Sequence, residues 1–317
     1  MKNVSEVSVQ DVFPFYLNHT LIANRIRDGY TADKVYSENA GRKKSSMIVK
    51  YHLHKPISVM DMALTDAVYS LYVQGKRCFS ARELLHFMNG STGSIANKRI
   101  EATEAALKRL SETRFGIIFT DEAKKRNLSV TSDMFFSLNQ NELEHEEYVI
   151  NGAFLPLEMQ EAASDLKKPP RIRFRIVQPP PLCEYASIVN HQIIQFSPVL
   201  LKKIDGLQAT ERNFLIRYYL IHRIEMFRYQ KKKQKPYSIS YIHPATRQNV
   251  YDSGLLTQLD LKSDQQVYVS EVHKSVLKIM DYFQKIGYIE KYSILIESGR
   301  QKAGILLDGI IQDSFSI

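Results

Sequence analysis

A chain of 317 residues, 44% hydrophobic and 24% charged, has apolar material for two ordinary domains, and it lacks any apolar run near the roughly 18 to 20 residues that a membrane span needs. Lys and Arg outnumber Asp and Glu by 43 to 34, a formal charge of +9 with a pI near 9.3, which points to a polyanionic partner. The two cysteines, Cys78 and Cys183, stand far apart without a CxxC pattern, and the opening MKNVSEVSVQD has no secretory pattern, so a reducing, cytoplasmic setting is expected, with no disulfide framework and no cysteine zinc site.

Residues 1–57 read as an N-terminal arm. It has apolar residues from Val12 to Ile26, a polar, basic, mobile loop from Ser37 to Ser46, and a strand-like MIVKYHLH ended by Pro56. From Ser58 the spacing turns helical, with Met60, Leu64, Ala67, Val68 and Leu71 on one side and Ser58 with Asp61 as a capping box. Ser80 with Glu83 forms a second capping box opening SARELLHFM, which Asn89-Gly90 halts. A third helix is predicted from Ser94 to Glu112 on the ridge Ala96, Ile100, Leu107 and Leu110, followed by the strand FGIIFT and the basic turn DEAKKRN. Three helices followed by a hairpin is the order of a winged helix.

The middle of the chain is rich in strand-like segments, RIRFRIV and HQIIQFS among them, and Pro179-Pro180-Pro181 marks a linker or domain edge. A long helix is predicted from Thr210 to Tyr229, then the basic loop KKKQK, a short helix near Leu255, and a strong helix from Ser270 with Val276, Met280, Phe283 and Ile286 inward, ended by Gly287. YIEKYSILIE and AGILL make a second hairpin. The expected class is therefore α+β, as tandem winged-helix domains with a strand-rich middle segment. Residues 58–180 hold the first domain with its β-rich extension and 181–317 the second, an economical result of internal duplication.

An α-helix fits the major groove of B-DNA, and a hairpin beside it reaches the sugar-phosphate rails. The predicted contacts in the first half are Ser94, Asn97, Lys98 and Arg99 on the helix, with Arg114, Lys124, Lys125 and Arg126 on the strand and turn after it. In the second half they are His273, Lys274 and Lys278 on the helix, with Lys291, Arg300 and Lys302 on the hairpin. Asn suits adenine edges, Arg guanine edges, and Lys phosphates. The densest basic run, Arg228, Lys231, Lys232, Lys233 and Lys235, is expected to touch backbone and steepen the salt dependence of binding. Exposed cations on an amphipathic helix are ordinarily a solvated face, so the repetition in both halves weighs more than any single residue.

HQIIQFSPVLLKKI at His191 to Ile204, followed by RNFLIRYYLIHRIEMFRY, resembles the join into the second winged helix of iteron-binding plasmid replication initiators. The resemblance spans about residues 58–310. It implies a Rep protein that binds double-stranded DNA at repeated origin sites, sets its two domains on successive major grooves, helps open the duplex, recruits host replication proteins, and switches between a repressing homodimer and an initiating monomer. The long N-terminal arm and the strand-rich stretch from Met134 to Val177 depart from the pattern.

His52-Leu53-His54 also matches the His-hydrophobic-His pattern of rolling-circle nickases, in which a divalent metal polarises a phosphate for attack by tyrosine; Tyr282 with Lys285, Tyr69 or Tyr72 would serve as nucleophile. Two rivals without that chemistry are a transcriptional repressor or partition adaptor, and a tandem winged helix that binds protein. GxxxxGK[ST], GxGxxG, HExxH and GxSxG are all missing, so the expectation is no enzyme, no cofactor, no resident metal, no small-molecule substrate and no membrane partner.

Overall fold

The computed structural model describes residues 15–18, 34–40, 43–52, 57–90, 93–118, 149–162, 171–187, 193–229, 236–241, 254–259, 266–297 and 300–310. They mix helix and strand and divide into two compact units, one of 16–86 with 93–194, the other of 195–317 with 1–15 and 87–92. No helix among the described residues is long and apolar enough to cross a membrane.

Among the described residues, three strands precede the first helix: β1 (Phe15–Asn18), β2 (Lys34–Ala40) and β3 (Lys43–His52). The stretch Ser37 to Ser46, expected to be a loop, runs instead through the β2–β3 hairpin, with Ser37 opposite Ser46 and Asn39 opposite Lys44. Pairing satisfies its backbone groups whatever the polarity of its side chains, so composition alone misreads it. Helix α1 (Val59–Val73) begins at the predicted capping box, in which Ser58 Oγ accepts from the Asp61 amide at 3.1 Å and Asp61 Oδ2 accepts from the Ser58 amide at 2.8 Å. The short strand β4 (Cys78–Phe79) leads to α2 (Ala81–Asn89), whose cap has the same reciprocal form through Ser80 and Glu83, and then to α3 (Asn97–Glu112).

After α3 the chain departs from the sequence reading. Strand β5 (Arg114–Ile118) was expected to be the first arm of a wing, but it pairs with β3 on one side and β6 (Val149–Ala153) on the other, inside the four-stranded sheet β2-β3-β5-β6. Phe115 and Ile117 are buried, and an apolar strand belongs in the middle of a sheet. The hairpin beside the helices is formed later, by β7 (Leu157–Ala162) and β8 (Arg171–Ile176), and β8 also pairs with β4. Pro181, expected within a linker, opens the short helix α4 (Pro181–Tyr185) at its first position, where a missing N–H costs nothing. The strand β9 (Ile193–Phe196) and a 3-10 turn at Pro198–Leu201 complete this stretch.

The second unit repeats the order. Helix α5 (Glu211–Tyr229) is followed by the short strand β10 (Tyr237–Ser240), α6 (Leu255–Gln258), α7 (Gln266–Lys285) and the hairpin of β11 (Ile289–Glu297) and β12 (Arg300–Ile310). Its sheet runs β10-β12-β11, just as the first unit's runs β4-β8-β7. In both units, then, a short strand after the first helix pairs with the far strand of a hairpin that follows the third.

Burial assigns roles to the helices. In α1 every residue from Met62 to Leu71 is buried, and in α5 Phe214, Ile216, Leu220, Ile224 and Phe227 are joined by buried Asn213, Arg223 and Glu225. Stacked or edge-on rings close each core: Phe79 on Phe174 at 5.8 Å and Phe115 on Phe154 at 5.3 Å in the first, Phe227 on Tyr237 at 4.8 Å and Phe283 on Tyr288 at 5.0 Å in the second. The buried carboxylate of α5 is enclosed with partners. The Glu225 carboxylate accepts from Tyr288 Oη at 2.5 Å and sits 3.3 Å from Arg228 Nε; burial raises its pKa, opposed by Arg228 and Tyr288.

Gly304 is required by close approach. It lies in β12 between Ser240 of β10 and Leu295 of β11, and a Cβ there would collide with the Ile239 carbonyl oxygen and approach Ser240 Cα at 2.9 Å. Gly304→Val is expected to lower stability by more than about 3 kcal/mol, because backbone rather than a flexible side chain must give way. Thermal unfolding followed by far-ultraviolet circular dichroism checks this; an unchanged midpoint would contradict the packing.

Candidate nucleic-acid interface

The third helix of each unit keeps a long polar face. On α3, Ser94 just ahead of the helix, Asn97, Lys98, Glu101, Ala102, Ala105, Lys108 and Glu112 are exposed, while Thr103, Leu107 and Leu110 are buried. On α7, Glu271, Lys274, Lys278, Asp281, Gln284 and Lys285 are exposed, opposite buried Val272, Val276, Ile279, Met280 and Phe283.

The start of α3 differs from those of α1 and α2. Its N-cap is Ala96, which makes no side-chain cap, and its first turn holds no acidic residue. Its leading amides, together with Lys98, therefore present positive charge where the helix dipole is also positive. Further along, Glu104 lies one turn from Glu101, and both burial and that neighbour raise its pKa. The anion-attracting part of α3 is thus its N-terminal end, the end with which a helix in the major groove meets bases.

In the second unit the acidic groups near α7 are already engaged. Glu271 Oε2 accepts from Arg212 at 2.9 Å, and Asp281 Oδ1 accepts from the Tyr292 hydroxyl on β11 at 2.6 Å. Burial and Asp281 push the Tyr292 pKa up, so the hydroxyl stays protonated and keeps donating. Lys274 and Lys278, one turn apart, are left facing outward, although Lys278 Nζ also donates to the Gly206 carbonyl.

The predicted contacts divide as follows. Ser94, Asn97 and Lys98 cluster in the open at the N-terminal end of α3, and Lys274, Lys278 and Lys291 are exposed. Arg99 is half-buried, with Nε enclosed. Arg114 does not join the cluster: it begins β5 beyond the far end of α3, a helix about 24 Å long at 1.5 Å per residue. His273 is corrected too. Only 3% exposed, its ring lies against Tyr241, with Nδ1 2.8 Å from the hydroxyl. Extending the ridge Phe283, Met280, Val276 by three residues lands on His273, so the helical period itself places it inward. Arg300 and Lys302 lie on β12, their side chains outside the described residues, as are Lys124, Lys125, Arg126, Lys231, Lys232 and Lys233.

Two arginines escaped the sequence reading. Arg173 and Arg175 are exposed on β8, while Phe174 and Ile176 between and after them are buried. Arg175 forks onto Glu158 of β7, its Nε at 2.9 Å and an Nη at 2.5 Å from Oε2. The period-two alternation in RIRFRIV is the available signal: it marks a strand but carries no trace of its hairpin partner.

Of the residues considered for nicking chemistry, the three tyrosines are engaged within the fold. His52 ends β3 opposite Arg114, and His54 lies outside the described residues. Tyr69 is buried, the Arg77 guanidinium covers the Tyr72 ring at 3.6 Å, and the Tyr282 hydroxyl donates to the Val199 carbonyl at 2.6 Å with its pKa raised by burial.

No family model matches the chain, and no curated protein does. Solved structures similar to it include a crystal structure of RctB domains 2-3, at 12% identity and a TM-score of 0.43, covering 90% of this chain and 96% of that one. A selenomethionine form of the same two domains matches at 11% identity and a TM-score of 0.40, covering 90% and 92%. Likeness this weak assigns no function.

Proposed function

We propose that the protein binds double-stranded DNA sequence-specifically through two winged-helix units and acts as a replication initiator on repeated origin sites. One observation carries this reading. In both units a buried first helix, a short strand, a second helix, an outward-facing third helix and a hairpin follow in the same order, with the short strand paired to the hairpin's far strand. That order supports a winged-helix reading, in which the third helix of each unit offers its open polar face to a groove. The chain's basicity supports a polyanionic ligand, and the resemblance of residues 191–229 to iteron-binding initiators supports the origin role. On this reading the α3 N-terminus and the Lys274–Lys278 face of α7 enter major grooves, while Arg173, Arg175 and Lys291 on the hairpins meet phosphates. A homodimer and host replication proteins are the further partners that the same reading implies.

Selection of duplexes from a random pool by the full chain tests it. Enrichment of direct repeats spaced about one helical turn apart supports an initiator. A lone palindrome turns the reading toward a transcriptional repressor. A pool that returns no enriched site would end the sequence-specific reading.

A further inference from the structure

The second unit contains a cleft of about 230 Å³ in which two predicted contacts, Lys274 and Lys278, meet residues that the sequence did not single out. Its walls are the loop ahead of α5, the first turn of α5 and the outward face of α7, represented by Gly206, Arg212, Asn213, Glu271, Lys274 and Lys278. Three cations thus face one carboxylate. Arg212 engages that carboxylate at 2.9 Å, which fixes the guanidinium at the rim, and Lys274 is exposed beside it. Lys278 donates to the Gly206 carbonyl and closes one wall; Gly206 has φ +71°, and a Cβ there would stand 3.3 Å from the ammonium.

Asn213 adds a second, independent mark of a ligand. It is 5% exposed, and its amide donates to the Gln208 carbonyl at 2.9 Å, but its Oδ1 is buried with no hydrogen-bond partner. A buried acceptor without a donor is costly, and Asn213 is among the residues that line this cleft.

We infer that this cleft takes a phosphodiester of the duplex lying along α7, held by Arg212 and Lys274 with Lys278 behind them. The inference rests on the duplex-binding reading above and adds to it a specific backbone clamp fed by the α5 N-terminus. A cleft of this size holds a phosphate with its flanking sugar, and its exposed rim admits a continuous strand. Such a clamp sets the register of α7 in the groove without reading bases.

The test uses the full chain, a selected duplex and a scrambled duplex, titrated over a range of salt. Arg212→Gln and Lys274→Gln should each weaken both duplexes alike, by about five- to tenfold, and should lower the log–log salt slope by about 1 apiece. Glu271→Gln should tighten both by about threefold, since it removes the one carboxylate facing the phosphate; a merely structural ion pair predicts no gain. Unchanged affinity and slope in all three variants would overturn the clamp while leaving duplex binding intact. Loss of discrimination with an unchanged slope would overturn it by making these residues base readers. If inorganic phosphate at millimolar concentration stabilises the wild type but not Lys274→Gln, and DNA affinity is the same in both, the cleft serves a free anion and the clamp is wrong. A wild type that binds neither duplex overturns both readings together.

Discussion

Replacing Asp61 with alanine is expected to lower the stability of the protein by about 3–5 kcal/mol, the cost of breaking a buried ion pair from one side. Asp61 is 3% exposed and has two tasks: Oδ2 accepts from the Ser58 amide and hydroxyl at 2.8 and 2.9 Å, and Oδ1 accepts from Arg109 of α3 at 2.5 Å. Its loss uncaps α1 and leaves the half-buried Arg109 guanidinium, whose other terminal nitrogen is already buried without a partner, without its carboxylate. Ser58→Ala removes only the cap and should cost about 1 kcal/mol, so the difference between the two variants isolates the ion pair. The chain has no tryptophan, so urea unfolding is best followed by circular dichroism. Equal losses in the two variants would mean that the Arg109 contact contributes nothing.

The double substitution Asn97→Ala, Lys98→Ala should cut affinity for the selected duplex by about ten- to a hundredfold, given about 1–3 kcal/mol for a good base-pair contact. Both residues are exposed on the uncapped end of α3 and support no core contact, so folding should be untouched. Discrimination against a scrambled duplex should shrink along with affinity. Arg173→Ala with Arg175→Ala offers the contrast: hairpin contacts to phosphate should weaken both duplexes equally. An α3 double variant that retains full discrimination would remove this helix from the reading surface.

Element identity was legible where the local signal is short-range. Reciprocal Ser–acid caps announced α1 and α2, and the 3.6-residue ridges announced α3 and α7, because capping and periodicity depend on neighbours within a turn. Which strands pair was not legible in the same way. FGIIF and RIRFRI both read as strands, but only the first is apolar enough for the centre of a sheet, and the partner of each lies tens of residues away. The hairpin of the first unit is accordingly formed by β7 and β8 rather than by β5, so Arg114 lies on a sheet strand while Arg173 and Arg175 lie on the hairpin.

By itself, then, the order of residues determined the helices, their caps, the cationic balance and the twofold recurrence of a helix-rich segment followed by a hairpin, all properties of composition or of spacing within a few residues. Tertiary structure alone decided that α1 and α5 are enclosed while α3 and α7 keep an open face. It also turned His273 inward onto Tyr241 and brought Arg212 alongside Lys274 across 62 positions of chain. The reason is that burial and charge proximity follow from which surfaces pack together, and packing joins residues whose separation along the chain carries no local trace.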